Sequence, residues 1–272
     1  MSPTSHSDSS LLLWVVAAIV ALLSAYLFIG WLRRAQGVSG WRSVRGPVAL
    51  ASAALGAGMS AAMVLAMSAE GLAYALGYRW LALPALLLGP VIACLPAAWW
   101  LSRSQKLPAL MGSGLMLAAV ALAVQVGWVS AAGLRPGVTW QFELLGAAAA
   151  LTTAGFVAAL WAAYSDASRE GANKVLWRVG AAAAMALTLI AGQELVSSSA
   201  ALQAQVGSVY LRQASATWLC LIAGAVVPPI MAALALDLSL RNRTRRHSNR
   251  SGGFVEMTLP KRRKRRRRYR AL

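Results

Sequence analysis

The sequence predicts an all-α polytopic membrane protein: seven transmembrane helices, built as three helical hairpins and a closing helix. Three observations predict it. The 272 residues are 58% hydrophobic and only 12% charged, with a mean hydropathy of +0.59. Seven apolar runs reach the ~20 residues that a helix needs to cross the hydrocarbon core, roughly over 11–32, 47–69, 81–102, 108–129, 141–164, 178–200 and 215–240. These runs are long and continuous rather than short and alternating, so backbone polar groups are satisfied within helices and not within a closed barrel. The predicted organisation is a short outer tail over 1–10, the membrane domain over 11–240 and a basic tail over 241–272.

Span one is uniformly apolar, and its end at Trp31, Arg33 and Arg34 reads as an anchor at the headgroup level. The ten residues before it carry no Lys or Arg, and the run is too long for an ordinary signal peptide, so it reads as a retained span. Span two starts at Pro47, a residue suited to a first helical turn. Ser52, Gly56, Gly58, Ser60 and many alanines predict that this span packs inside the bundle. Pro90 and Pro96 fall within span three and predict a kink. Span four carries a single amide, Gln125, and span six pairs Gln193 with Glu194. The Pro228-Pro229 pair should break or bend span seven.

Charge orients the chain. Of 26 Lys and Arg residues, 23 lie in the loops after spans one, three and five or in the tail beyond Leu240. Only Arg79, Arg135 and Arg212 lie on the opposite side. The positive-inside rule then places the N-terminus outside and the C-terminus in the cytoplasm. Cys94 and Cys220 both fall within apolar spans and read as small hydrophobes, not as a disulfide framework.

Two stretches look alike. LGAGMSAAMVLAM (Leu55 to Met67) and MGSGLMLAAVALA (Met111 to Ala123) both open on Gly-x-Gly, at Gly56 and Gly58 and at Gly112 and Gly114. Spans two, four and six all run from inside to outside, so equivalent positions in the three hairpins are expected to meet at one depth in the outer half.

These phrases, together with LRRAQGVSGW and AAAAMALTLIAGQELVSSSA, resemble bacterial MHYT-domain membrane proteins over roughly residues 11–240. In that family each inside-to-outside helix carries a variant of Met-His-Tyr-Thr-Gly-Met. The resemblance implies copper held by Met and His side chains near the outer face, and sensing of a gas or redox state on behalf of a cytoplasmic signalling partner. Carried across, the motif Met and His fall on Ala62 and Met63 in span two, with the closing Met on Met67. In span four they fall on Ala118 and Ala119, and in span six on Gln193 and Glu194. The two histidines, His6 and His247, lie outside every span, so the bundle offers no imidazole. Copper would depend on Met63 and Met67, since thioethers select Cu(I).

Met59, Met63 and Met67 recur every four residues and share one helix side; such a stripe serves packing as readily as ligation. Ionisable groups in a span are functional candidates. Glu70 and Glu143 read as interfacial, whereas Gln193 and Glu194 form a candidate polar site in the outer leaflet, unless Glu194 pairs with Arg135 or Arg212. In the tail, Lys261, Arg262, Arg263, Lys264, Arg265, Arg266, Arg267, Arg268 and Arg270 form a block suited to anionic inner-leaflet lipid, a bulk reading preferred over nucleic acid.

No Ser-His-Asp set, phosphate-cradling glycine loop or metalloprotease helix is present, so the sequence does not read as an enzyme. A retinal Schiff base is excluded as well, because Lys106, Lys174, Lys261 and Lys264 all lie outside the spans. The expected function is a sensor-type membrane domain without a fused output domain. The competing readings are a small permease, with spans three and seven and Glu194 lining its path, and an adaptor acting through the tail.

Overall fold

A computed structural model describes residues 4–38, 40–69, 77–135, 138–165, 172–202, 207–210 and 213–240. The chain divides into two compact units, residues 1–235 and 236–272. The first holds the helix bundle; of the second, only the helical residues 236–240 are described.

Seven helices are long and apolar enough to cross a membrane. They are α1 (Thr4–Gln36), α2 (Trp41–Ala69), α3 (Leu83–Arg103), α4 (Leu107–Ala131), α5 (Phe142–Tyr164), α6 (Ala172–Ser199) and α7 (Ala216–Ala225), the last resuming as helix over 227–240. The protein is therefore an all-helical, multi-pass membrane protein. Large apolar side chains such as Leu88, Ile92, Leu115, Leu187 and Trp218 face outward, as lipid contact requires and water would penalise.

Helices adjacent in sequence pack side by side, and α6 returns to α1, so α1 to α6 close a ring with α7 against α2. Within the ring α4 approaches both α2 and α6. Helix α2 is the most buried of the seven, as its small residues predict. Its close approach to α3 is made at Gly56, where a Cβ would stand 2.5 Å from the Val91 nitrogen; only glycine lets two backbones meet there.

Several expectations change. Helix α1 begins at Thr4, so part of the expected N-terminal tail is helical. Trp31 is only 4% exposed and sits under the Arg34 guanidinium, 5.3 Å from its ring centroid; it packs within the bundle and is no headgroup anchor. That place is taken by Trp41 and Trp99, in edge contact at 4.4 Å, with Arg45 over Trp41 and Arg103 over Trp99, each at 4.3 Å. Pro47 lies inside α2, which starts a turn and a half earlier. In span seven the helix does interrupt, at Val226, just ahead of Pro228 and Pro229, which have no N–H to donate to the preceding turn.

The sequence reading also missed three short antiparallel ladders, all at the end where α2, α4 and α6 finish. They join β1 (Gly77–Tyr78) to β6 (Ala214–Ser215), β2 (Leu134–Arg135) to β5 (Gly207–Ser208), and β3 (Val138–Trp140) to β4 (Ala200–Leu202). The α6–α7 connection thus pairs with both other loops at this β rim. Ser208 is the knot: its hydroxyl lies 2.9 Å from the Gly77 carbonyl and 2.7 Å from the Ala132 carbonyl, and accepts from the Gly77 and Tyr210 N–H groups. Gly133 turns the chain here with φ +57°, a left-handed conformation that suits glycine. The opposite end is joined by side chains. Gln36 donates to the Leu101 carbonyl at 2.9 Å and accepts from Gln105 at 2.8 Å, and Arg33 donates to the Ala163 carbonyl.

Candidate functional site

A small cavity lies where α2, α4 and α6 meet. Met59 and Met63 come to it from α2, Gln125 from α4, and Leu189 and Gln193 from α6, with Ala17 of α1 closing one side. Its volume is about 10 Å³, close to the space of a single water.

The three helices present this site in register. Met63 lies six residues before Ala69, Gln125 six before Ala131 and Gln193 six before Ser199, each the last residue of its helix. All three are buried, at 1%, 4% and 4% exposure. Equivalent positions of the three hairpins therefore do converge, about 9 Å in from the β rim at 1.5 Å per residue.

This register corrects the one that glycine alignment gives. Matching Gly56 to Gly112 sets Met63 opposite Ala119, but the helix ends set it opposite Gln125, six residues further along. Span four thus contributes Gln125 in place of the alanines that the glycine alignment selects. In span six the counterpart of Met63 is Gln193 and not Glu194. One residue turns a helix by ~100°, so Gln193 points inward while Glu194 is exposed.

Polarity in the cavity is incompletely satisfied. The Gln125 side chain donates from Nε2 to the Leu189 carbonyl at 3.2 Å. Its Oε1 is buried with no hydrogen-bond partner, and so is Nε2 of Gln193. Buried amide atoms left unpaired cost about 1–3 kcal/mol each. One is an acceptor and the other a donor, and both side chains line one small space. Helix α6 reaches close to α5 here because residue 192 is glycine: a Cβ on it would stand 2.7 Å from Thr152 Oγ1.

The other candidates lie elsewhere. Met67 is buried but leaves the cavity and accepts, on sulfur, from the Tyr78 hydroxyl at 3.8 Å; Tyr78 in turn stands edge-on to Trp128 at 5.1 Å. Met63 and Gln193 are thus brought together, and Met67 and Glu194 are not. Glu143 is exposed in the first turn of α5. Glu70, Arg212, the Arg135 side chain and the whole basic block from Lys261 to Arg270 lie outside the described residues. Among the described residues no three His, Cys, Asp or Glu side chains are grouped to hold a metal ion.

The donor set does not fit the copper that the resemblance implies. Two thioethers suit Cu(I), but an amide oxygen suits harder cations, and the second lining amide carries a buried, unpaired N–H donor. A neutral molecule that both donates and accepts matches the pair better.

Three comparisons with known proteins add nothing to this geometry: no family model, no curated protein and no solved structure matches the chain.

Proposed function

We propose that this protein is a sensor-type membrane domain of MHYT-like architecture, whose ligand seat is the cavity between α2, α4 and α6. In this reading the N-terminus is outside a bacterial inner membrane, the β rim faces the exterior, and a cytoplasmic signalling partner reads the opposite end. The seat takes a neutral molecule of one or two heavy atoms that accepts from Gln193 and donates to Gln125. A single observation carries the proposal: two side chains lining one small cavity, Gln125 and Gln193, hold a buried unpaired acceptor and a buried unpaired donor, on helices that present them in register.

The small volume supports a seat over a permease path. Chemistry inside would be limited to binding, since no nucleophile, acid or base lines the space.

The test is metal content and ligand response in detergent-purified full-length protein. After Cu(I) loading under reducing conditions, copper stays far below one per chain in the wild type and in a Met59→Leu, Met63→Leu variant alike. Small hydrogen-bonding solutes raise the thermal midpoint of the wild type and leave a Gln125→Leu, Gln193→Leu variant unmoved. Stoichiometric copper lost with the two methionines would replace this reading with a thioether metal site, and Gln193-dependent uptake into proteoliposomes would replace it with transport.

A further inference from the structure

A second polar feature lies at the other end of the bundle and is independent of the seat. Arg178 falls among the loop charges when basic residues are sorted by span, yet it is helical, six residues past the start of α6 and three past Val175, where the apolar stretch begins. An arginine at such a depth is a functional candidate by default. Its guanidinium lies over the ring of Tyr26 on α1, 4.4 Å from the centroid. That contact occupies the face of the group and leaves its edge.

The edge is the informative part. Nε and Nη2 of Arg178 are both shielded from solvent and have no hydrogen-bond partner. Together they form one side of the planar fork, with two near-parallel N–H vectors. This is the geometry that carboxylate and phosphate oxygens take in bidentate fashion. Arg33 of α1 is within Coulomb reach of Arg178 and is held by its bond to the Ala163 carbonyl of α5; the Tyr164 hydroxyl stands beside it. Among the side chains described in residues 11–235, the carboxylates are Glu143 and Glu194, one in the first turn of α5 and the other near the end of α6. Both are at the β-rim end.

A buried guanidinium whose fork has no partner makes an anion site. Its depth, about 5 Å inside the apolar stretch at 1.5 Å per residue, is within reach of a headgroup phosphate at the membrane boundary. Basic pockets between membrane helices bind such headgroups. We propose that Arg178, with Arg33 beside it, is a phosphate-ester seat at the basic ends of α1, α5 and α6, filled by the headgroup of an anionic membrane lipid. A soluble phosphate would share the chemistry but not the anchorage.

The experiment keeps the full chain, so the basic tail contributes equally to every sample. Wild type, Arg178→Lys, Arg178→Gln and the exposed-site control Arg42→Gln are purified from vesicles of mixed phosphatidylglycerol and phosphatidylcholine, and retained lipid is counted by native mass spectrometry. Helical circular dichroism and monodisperse elution are required of each. Both Arg178 variants are expected to retain about tenfold less phosphatidylglycerol, the loss of one charge-assisted bidentate contact, while Arg42→Gln retains it. Loss in Arg178→Lys is decisive, because lysine keeps the charge and loses the fork. A parallel arm titrates inorganic phosphate: a thermal-midpoint rise that needs Arg178, with lipid retention unchanged across the variants, assigns the seat to a soluble phosphate and overturns the lipid assignment. Equal lipid retention and equal phosphate response in all four proteins overturn the site itself.

Discussion

Unpaired amides make the residues of the seat unequal in what they contribute. Gln193 leaves its Nε2 without a partner, so Gln193→Leu removes a buried penalty of about 1–3 kcal/mol and is expected to raise the thermal midpoint while abolishing ligand response. Gln125 differs because its Nε2 holds the Leu189 carbonyl; Gln125→Leu loses about 0.5–1.5 kcal/mol there and is expected to be near neutral in net stability. Glycines separate as cleanly. A methyl on Gly56 runs into the α3 backbone, where Val91 and Pro90 cannot yield, so Gly56→Ala is expected to cost about 1–3 kcal/mol. Gly46→Ala meets nothing within 4 Å and is expected to leave the unfolding midpoint unchanged or slightly higher. At this scale the sequence was half informative. Met63 and Gln193 stand out as sulfur and amide in apolar runs, and Gln125 is as visible, but nothing in the chain says which way it faces. A helix apolar all round carries no stripe from which to read its inward side, so Gln193 and Glu194 entered the candidate site together although one residue turns a helix by ~100°.

Helices and loops show the same division between what composition fixes and what only packing decides. The helix ends follow from hydropathy, prolines and charge to within a few residues, except the starts of α1, α2 and α6, which lie six or seven residues ahead of their apolar runs. The Gly-x-Gly repeat misled because its glycines mark helix contacts and not a depth: Gly56 and Gly112 both face α3, whereas Gly58 faces Ser24 of α1 and Gly114 faces Val157 of α5. The β rim could not be read at all, since strands of two or three residues have no alternation to detect. It is testable at its knot. Ser208→Ala removes the hydroxyl that serves the Gly77 and Ala132 carbonyls, and the expected result is a loss of about 1–3 kcal/mol with faster amide exchange at Gly77, Tyr78 and Tyr210 while the helices stay protected.

For the molecule as a whole, membrane residence was legible from composition, and the orientation that charge assigns is open to direct measurement. In a Cys220→Ser background, with Cys94 buried, a cysteine at the exposed Trp80 of the β rim should react with an impermeant maleimide in intact cells. One at the exposed Gln105 should react only after permeabilisation. The reverse pattern would invert the topology. What the sequence did not reveal is that the two ends of the bundle are fastened by different means, backbone ladders at one and single side-chain bonds at the other. A bundle riveted at one rim behaves as a set of levers with a common fulcrum. The seat lies about 9 Å from that fulcrum and the far ends of α2 and α4 about 37–43 Å from it, so for a rigid helix a small displacement at the seat is magnified roughly fourfold at the far end.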